Sequence, residues 1–247
     1  MNKKRLGFIL LAALLLISLL GIVWLQPINQ QESYHQFCDS QTIWSIPNFW
    51  NVISNIPFLM VGIWGLLNTR KLKGKRRQYQ LFFMGVTLVA LGSGYYHLNP
   101  NSQTLVWDRL PMTIAFMSLF SIVISEFINA KMGRQLLYPL LLTGLLSVAY
   151  WMAFDDLKVY AVVQFYPLLA MLVILLLFTS KRDSIKGYWM LVIAYVLAKL
   201  FEHYDFQIQQ LIYFWSGHTL KHLVIAVGIL GLGKSFFIEP SIISVKK

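Results

Sequence analysis

Three histidines have the types and spacing to hold a catalytic metal ion. His218 and His222 lie four residues apart in an apolar segment, which places both imidazoles on one face of a helix. Zinc sites on helices use this pair, with Zn–N bonds of about 2.0–2.1 Å. His97 ends another apolar segment and is the third candidate ligand. Three protein nitrogens leave a fourth position for water, as catalytic zinc sites do, although a histidine pair on a helix also arises by chance.

Two more segments place polar side chains near this set. Ser93 precedes His97 by four residues, so both share one helical face with Ser93 a turn deeper. Asp108 opens the next apolar segment after a short connection, with Pro111 in an early helical position, and is expected within reach of a metal-bound water. The alternatives are a small-residue packing seam around Ser93 and a helix cap at Asp108.

The elements that position these residues are transmembrane helices. The chain is 57% hydrophobic and only 13% charged, and its apolar runs repeatedly reach the length of about 20 residues that crosses a bilayer. We therefore predict an all-α polytopic membrane protein with a single-domain bundle. Eight spans are expected, at 7–25, 47–68, 78–97, 107–128, 135–153, 159–179, 187–203 and 217–236.

Basic residues predict the orientation. Cytoplasmic connections are rich in Lys and Arg, which assigns to the cytoplasm the N-terminus, the connections at 70–77, 131–134 and 181–186, and the tail 234–247. Of the 21 basic residues, only four fall toward the outside: Arg109, Lys158, Lys199 and Lys221. The net charge of +11 is thus mainly a topology signal, and nucleic-acid binding is not indicated.

The same topology gathers the histidines at the outer face. All five lie there, which favours a shared site near the outer leaflet. The alternative is that histidines lie in solvated loops, and this alternative suits His35 and His203. The first span resembles an uncleaved anchor more than a signal peptide, because Leu25-Gln26-Pro27 is not a small-residue cleavage site. The only cysteine, Cys38, is interpreted as structural, and a thiolate-rich metal site is excluded.

Four motifs in order carry a family resemblance: Asn48-Phe-Trp-Asn-Val-Ile-Ser-Asn55, Gly92-Ser93-x3-His97, Trp107-Asp108-Arg109-Leu110-Pro111-Met112 and Gly217-His218-x3-His222. From about residue 34 to 236 the chain resembles the alkaline ceramidase family, and most closely its bacterial branch. That family lies in the CREST superfamily of membrane hydrolases, which includes adiponectin receptors. The first span is additional to the seven-helix core of the family.

The resemblance implies zinc held by His97, His218 and His222, with Ser93 beside the metal and Asp108 transferring protons. It also implies hydrolysis of the amide of ceramide or a related N-acyl lipid, giving a fatty acid and an amine. The expected division is an N-terminal anchor with its outer linker at 1–33 and a ceramidase-like domain at 34–247. The expected location is the plasma membrane, with both termini cytoplasmic and the site outside.

A calcium site and a supporting shell are further candidates. Eukaryotic relatives resemble one another in an acidic calcium site before the first core helix; here Asp39 is retained, but Asn48 stands where a glutamate is expected. Calcium takes six to eight oxygen ligands, so Asp39 and Asn48 alone make an incomplete site. Lys199 and Glu202 are spaced to form an ion pair that shapes the cavity, and Asp205 could orient a histidine ligand through its second nitrogen.

Two other functions stay open from the sequence. A receptor-like or signalling seven-helix protein with a structural zinc would show metal-dependent stability without turnover. A transporter would use histidines and carboxylates as a proton relay, but the polar positions cluster at one end, with only Glu126 near the other face. The sequence does not indicate an oligomeric state.

Overall fold

A computed structural model describes residues 2–72, 76–178 and 185–237 of the protein, and these form an all-α bundle. Within these ranges the β-type pairing amounts to one isolated bridge, between Ile43 and Ile46. The α-helices are α1 (Lys3–Trp24), α2 (Phe49–Ile53), α3 (Ile56–Asn68), α4 (Arg76–Leu98), α5 (Ser102–Val123), α6 (Ala130–Phe154), α7 (Lys158–Leu177), α8 (Ile185–His203), α9 (Asp205–Ile212) and α10 (Gly217–Phe237). Short 3-10 turns occupy Glu32–His35 and Thr69–Lys71, and a π-helical turn, Ile124–Ile128, extends α5.

Seven helical segments of the described chain are long and apolar enough to cross a membrane. They are Lys3–Trp24, Phe49–Lys71, Arg76–Leu98, Ser102–Ile128, Ala130–Phe154, Lys158–Leu177 and Gly217–Phe237. The eighth expected span is α8, which has 19 residues and is more polar because it includes Lys186, Lys199 and Glu202. It packs along α10 as part of the bundle. The chain is a multi-pass integral membrane protein, and the predicted fold class is confirmed.

The helix that carries Asp108 begins earlier than expected. α5 starts at Ser102, and Asn101 caps it by accepting hydrogen bonds from the backbone of Gln103 and Thr104 at 2.9 and 3.0 Å. Pro111 therefore lies inside the helix, so its predicted early position is wrong. The capping interpretation of Asp108 is also wrong, because Asp108 lies within the second helical turn, after the cap.

Two features near the second span were not predicted. The span is divided into α2 and α3 between Ile53 and Ile56, and α2 begins after Asn48, which has a left-handed φ of 49°. Asparagine tolerates this conformation better than most residues. The short helix α9 also lies between α8 and α10 without crossing the bundle.

Packing is closest between α4 and α5, and a second large contact joins α8 to α10. The additional helix α1 packs chiefly on α7. There the rings of Phe8 and Phe178 meet edge to face at 5.1 Å, and Gly7 leaves room for the Phe178 ring.

The two ends of the bundle have different polar groups. At one end, hydrogen bonds link residues that the sequence predicts to lie at the outer face. The amide of Asn48, for example, donates to the His97 carbonyl at 2.8 Å. The other end holds Glu126, which binds the hydroxyls of Tyr79 and Tyr188. Several basic residues used to predict orientation lie outside the described residues: Lys73, Lys75, Lys181, Arg182, Lys246 and Lys247.

Candidate metal centre and cavity

The three histidines come together, fully buried, at one end of the bundle. His97 ends α4, while His218 and His222 lie on the first turns of α10, and each of the three is at most 6% exposed. Their ring centroids are 4.8 to 5.2 Å apart. One nitrogen from each ring can be chosen so that all lie within 4.8 Å of one another. This is the group of potential metal ligands found in the described part of the chain.

The donor atoms fit a zinc ion. Nε2 of His97 and Nε2 of His218 are 3.3 Å apart. Two Zn–N bonds of about 2.0–2.1 Å at a tetrahedral angle separate their nitrogens by roughly the same distance. Three neutral imidazoles are also a common catalytic ligand set for this metal. The group can therefore hold a metal ion, and the chemistry of its donors suits zinc.

Ser54, which the sequence analysis did not single out, orients one of the imidazoles. Its Oγ lies 2.8 Å from Nδ1 of His222 and donates to the carbonyl of Asn51 at 3.0 Å. Since the hydroxyl proton is directed to Asn51, Nδ1 of His222 donates to Ser54 and Nε2 keeps its lone pair. The residue could have been found within the Asn48–Asn55 motif, but one serine in an apolar segment carries no spacing signal.

Two carboxylates hold the backbone around the site. Oδ1 of Asp205 accepts a hydrogen bond from the backbone N–H of His218 at 2.6 Å, and its Oδ2 accepts from the N–H of Cys38 at 3.2 Å. Asp205 thus holds the start of α10 and does not bind a histidine ring as expected. Asp39, 1% exposed, accepts from the N–H of Asn51 at 2.8 Å and of Gln41 at 3.3 Å.

This placement bears on the calcium candidates. The oxygens of Asp39 accept hydrogen bonds from backbone donors, the Asn48 amide donates to the His97 carbonyl, and Asp39 belongs to no group of three His, Cys, Asp or Glu ligands in the described chain. Burial raises the pKa of Asp39, against the effect of these backbone hydrogen bonds. Burial and the neighbouring Asp205 raise the pKa of Cys38 to about 11, so its thiol stays protonated near neutral pH.

Ser93 and Asp108 lie beside the histidines. Ser93, 3% exposed, interacts with the Asp108 side chain, and both line the same cavity as the three imidazoles. The close approach of α4 and α5 creates this arrangement: a Cβ atom on Gly92 would lie 1.8 Å from the carbonyl oxygen of Trp107. The sequence prediction placed Ser93, His97 and Asp108 near one another, and the structure brings them together.

The predicted ion pair between Lys199 and Glu202 on α8 is present, and a second lysine, Lys221, also pairs with Glu202. Nζ of Lys199 lies 2.6 Å from Oε2 of Glu202, and Nζ of Lys221 lies 2.9 Å from Oε1 of the same residue. Because Lys221 is on α10, Glu202 joins the two helices at the mouth of the site. All three residues line the cavity.

The cavity has a volume of about 400 Å³ and a mostly apolar wall. Its polar end holds the histidines, Ser93 and Asp108, and its apolar part is lined by side chains of α4, α5, α7, α8 and α10, among them Val86, Ala115, Phe116, Phe165, Ile225 and Ile229. A polar reaction centre beside an apolar chamber is suited to a lipid with a polar linkage. Phe37 closes the site above His97 and His218, at ring distances of 4.8 and 4.4 Å.

The comparison with known families agrees with this chemistry. The ceramidase family model matches residues 29–230, most of the chain. The chain belongs to the ceramidase family. Membership implies a hydrolase that acts on the amide bond of ceramide, with a membrane lipid as substrate. In this ceramidase family member the matched region includes every candidate ligand and Asp108, while all of α1 precedes it.

The remaining histidines lie apart from the metal centre. His203 is exposed at the end of α8, as expected of a solvated residue. His35 is half-buried: its Nδ1 lies 2.9 Å from the Tyr96 hydroxyl and its Nε2 lies 3.1 Å from Ser102 Oγ. Burial lowers the pKa of His35, so the expectation of a solvated loop residue is wrong for this position.

Proposed function

We propose that the chain is a zinc-dependent intramembrane amidase that cleaves ceramide or a related N-acyl lipid into a fatty acid and a sphingoid base. The observation that carries the proposal is the buried group His97, His218 and His222, which shares one largely apolar cavity with Asp108. The amide bond would be cleaved at the polar end while the acyl chain occupies the apolar part.

The three imidazoles would hold the zinc ion, which when bound supplies Lewis acidity and makes water a nucleophile near neutral pH. Ser54 holds the ring of His222, and Asp205 holds the backbone of His218. Hydrogen-bonded supports of this kind keep ligand nitrogens directed at one point. Phe37 limits access of bulk water to two of the rings.

Asp108 would carry the proton. A water molecule adds its oxygen to the amide carbon, and the Asp108 carboxylate accepts the proton that is released. The C–N bond then breaks as the same proton passes to the leaving nitrogen, giving a free amine and a carboxylic acid. Ser93, next to Asp108, is placed to hold that carboxylate and to donate a hydrogen bond to the carbonyl oxygen as it gains charge.

A lipid would enter sideways from the bilayer. Phe165 of α7 lines the cavity and is 46% exposed. Lys199 of α8 lines it too, and its side chain is 47% exposed. Exposed residues of α7 and α8 that also line the cavity support an opening beside these two helices, through which a lipid would pass from the bilayer.

We further propose the orientation that the basic residues favour. Both termini would be cytoplasmic, the site would face the outer leaflet, and the membrane would be the plasma membrane. Residues 1–33 would act as an anchor with an outer linker, and residues 34–247 would form the catalytic domain. A hard cation such as Ca²⁺ near Asp39 and Asn48 stays a weaker proposal, because both side chains already have protein partners.

The decisive experiment is release of free fatty acid from a panel of N-acyl lipids, including ceramides, by detergent-purified protein loaded with zinc. Asp108→Asn, run alongside, should lose about 100-fold or more in kcat while keeping its zinc. Turnover by the wild type alone supports the proposal. Loss of zinc from the variant would contradict the assigned role of Asp108, and zinc-loaded wild type that is inactive on the whole panel would contradict the amidase.

A further inference from the structure

Arg109 is a buried cation in the wall of the cavity whose hydrogen bonds are incomplete. The residue is 5% exposed and lines the same chamber as the histidines. Nη2 donates to the amide oxygen of Gln30 at 2.6 Å, whereas Nη1 is buried without an acceptor in the described part of the chain. An unpaired buried donor on a charged group is costly, so a ligand that supplied an acceptor would be favoured.

Aromatic rings, and not carboxylates, surround the guanidinium. Its carbon lies 4.2 Å from the centre of the Trp151 ring, 4.8 Å from that of Tyr160 and 5.6 Å from that of Tyr34. Cation–π contacts stabilise a positive charge and hold its plane, but they accept no hydrogen bond in that plane. The environment therefore fixes the orientation of Arg109, and no carboxylate of the described chain forms an ion pair with it.

The nearby acids are engaged elsewhere. Glu202 binds Lys199 and Lys221, and Asp156 lies 3.3 Å from Nζ of Lys158. Asp155 accepts hydrogen bonds from Asn29 and Gln30. Asp108 lies next to Arg109 in the chain and interacts with Ser93 and, electrostatically, with Arg109, but no direct ion pair joins Asp108 to Arg109 in the described structure. The cavity thus has one cation more than its carboxylates balance.

The segment at residues 25–35, here called the strap, brings two of these partners over the cavity. Its backbone is fastened to the α6–α7 connection: the N–H of Leu157 donates to the Ile28 carbonyl at 2.8 Å, and the N–H of Ile28 donates to Asp156 at 3.2 Å. Ile28 and Tyr34 of the strap line the cavity directly. The strap therefore forms part of the chamber wall and positions Arg109 through Gln30 and Tyr34.

We propose that Arg109, held by the strap, binds an anionic oxygen of the lipid head group, so that this enzyme prefers an N-acyl lipid bearing a phosphate or similar anion to its neutral counterpart. The inference rests on the proposed amidase function and adds its substrate class. Guanidinium pairs with phosphate through two parallel N–H···O bonds, which would use the donor that now has no acceptor.

The position of Arg109 suits this role. Although consecutive side chains of a helix diverge, Asp108 and Arg109 both line the same cavity. In an N-acyl amino alcohol such as ceramide, the amide nitrogen and the oxygen that carries the head group are on neighbouring carbons. A lipid with its amide at Asp108 would therefore have its head group within reach of the next side chain.

The test compares ceramide with ceramide 1-phosphate of the same chains, as substrates of the full-length, zinc-loaded protein. Wild type should show the higher kcat/KM with the phosphorylated lipid. Arg109→Gln should raise KM for that lipid by about 10- to 100-fold, and should raise KM for neutral ceramide by a clearly smaller factor. Arg109→Lys, which keeps the charge but not the paired donors, should fall between them.

A second variant covers the case in which Arg109→Gln fails to fold. Gln30→Ala removes the acceptor that orients the guanidinium, together with the contact of the Gln30 amide to the Gln31 carbonyl, and should raise KM for the phosphorylated lipid by a larger factor than it lowers kcat. Gln31→Ala is the matched control, because Gln31 is an exposed neighbour whose contact in the strap is through its backbone carbonyl. If both substitutions raised KM for the two lipids alike, the role of Gln30 would be structural and the proposal would be overturned.

A binding measurement separates failure of this inference from failure of the amidase proposal. In the Asp108→Asn background, ceramide 1-phosphate should raise Tm more than ceramide does, and Arg109→Gln should remove the difference. Inactive wild type with this Tm difference intact would refute the amidase alone. Equal Tm shifts from the two lipids would refute anion recognition, and a shift from inorganic phosphate without a lipid preference would refute its assignment to a head group.

Discussion

The hydroxyl of Ser54 lies 2.8 Å from Nδ1 of His222 and joins the second transmembrane segment to the candidate metal centre. Ser54 follows α2, and its own proton is donated to the Asn51 carbonyl at 3.0 Å. Its lone pair is therefore available to Nδ1–H of His222, and Nε2 of that ring is left free for a metal. Asn51 also binds the Thr219 hydroxyl at 2.9 Å, so the same segment fixes α10 at two points.

We expect Ser54→Ala to weaken zinc binding by about 10- to 100-fold, the usual range for loss of a group that supports a ligand. The affinity can be measured by competition with a chelating zinc indicator in detergent. Ser147→Ala is the matched control, since Ser147 is equally buried but bonds to the Gly144 carbonyl of its own helix at 2.6 Å. Equal zinc affinity in the two variants would show that Ser54 does not orient His222.

His218→Ala should reduce both bound zinc and activity, because it removes one of three imidazoles that lie within 4.8 Å of one another. The zinc content of purified protein, measured by plasma mass spectrometry, checks this directly. His203→Ala provides a comparison at an exposed position at the end of α8 and should retain zinc and turnover. A full complement of zinc in His218→Ala would remove that residue from the ligand set.

Glu202→Gln should lower the free energy of unfolding of the protein by about 1–3 kcal/mol and weaken zinc binding. The change removes the charge that holds Lys199 and Lys221 at 2.6 and 2.9 Å. Lys221 lies on α10 between the two histidines, so its unbalanced charge would oppose a cation there. Thermal unfolding with and without zinc measures both effects. Lys199→Gln, which removes only the more exposed partner, should have the smaller effect; the reverse order would contradict this account.

Sequence patterns were sufficient for the fold and for the group of three histidines that could hold a metal ion. Apolar runs of the length of a bilayer give the helices, and the i, i+4 spacing of His218 and His222 gives their shared face. His97 was predicted as the third candidate ligand because the positive-inside rule places it at the same face of the membrane as His218 and His222. These signals are the spacing of residues, the length of apolar runs and the distribution of basic residues. They can be recognised without knowing which helices are in contact.

The residues that support the histidines could not be predicted from the sequence, because their roles depend on contacts between helices. Nothing in the spacing indicates that Ser54 lies beside His222, since 168 positions separate them in the chain. Asp205 was expected at a histidine ring, but it binds the backbone N–H of His218. The aromatic rings around Arg109 come from three separate segments, and the helix start at Ser102 depended on the cap formed by Asn101.

The close approach of α4 and α5 places Ser93 beside Asp108. A Cβ atom at Gly92 would lie 1.8 Å from the backbone oxygen of Trp107, and a backbone atom cannot rotate away as a side chain can. Gly92→Ala should therefore push the helices apart and destabilise the protein by about 1–3 kcal/mol. Activity should fall further than zinc content does, since the proton-transfer pair is displaced more directly than the ligands.

Gly94→Ala isolates this steric effect from the helix propensity of alanine. It lies two residues along the same helix, and a Cβ atom there would meet nothing within 4 Å. Alanine favours a helix interior over glycine by about 0.8–1 kcal/mol, so Gly94→Ala should raise Tm and preserve activity. Chemical unfolding in detergent micelles, followed by helical circular dichroism, measures both variants. Both variants replace glycine by alanine. If Gly92→Ala lowers stability and Gly94→Ala raises it, the loss of stability at Gly92 is due to the contact with α5. Similar changes in stability and activity in the two variants would show that this contact does not position Ser93.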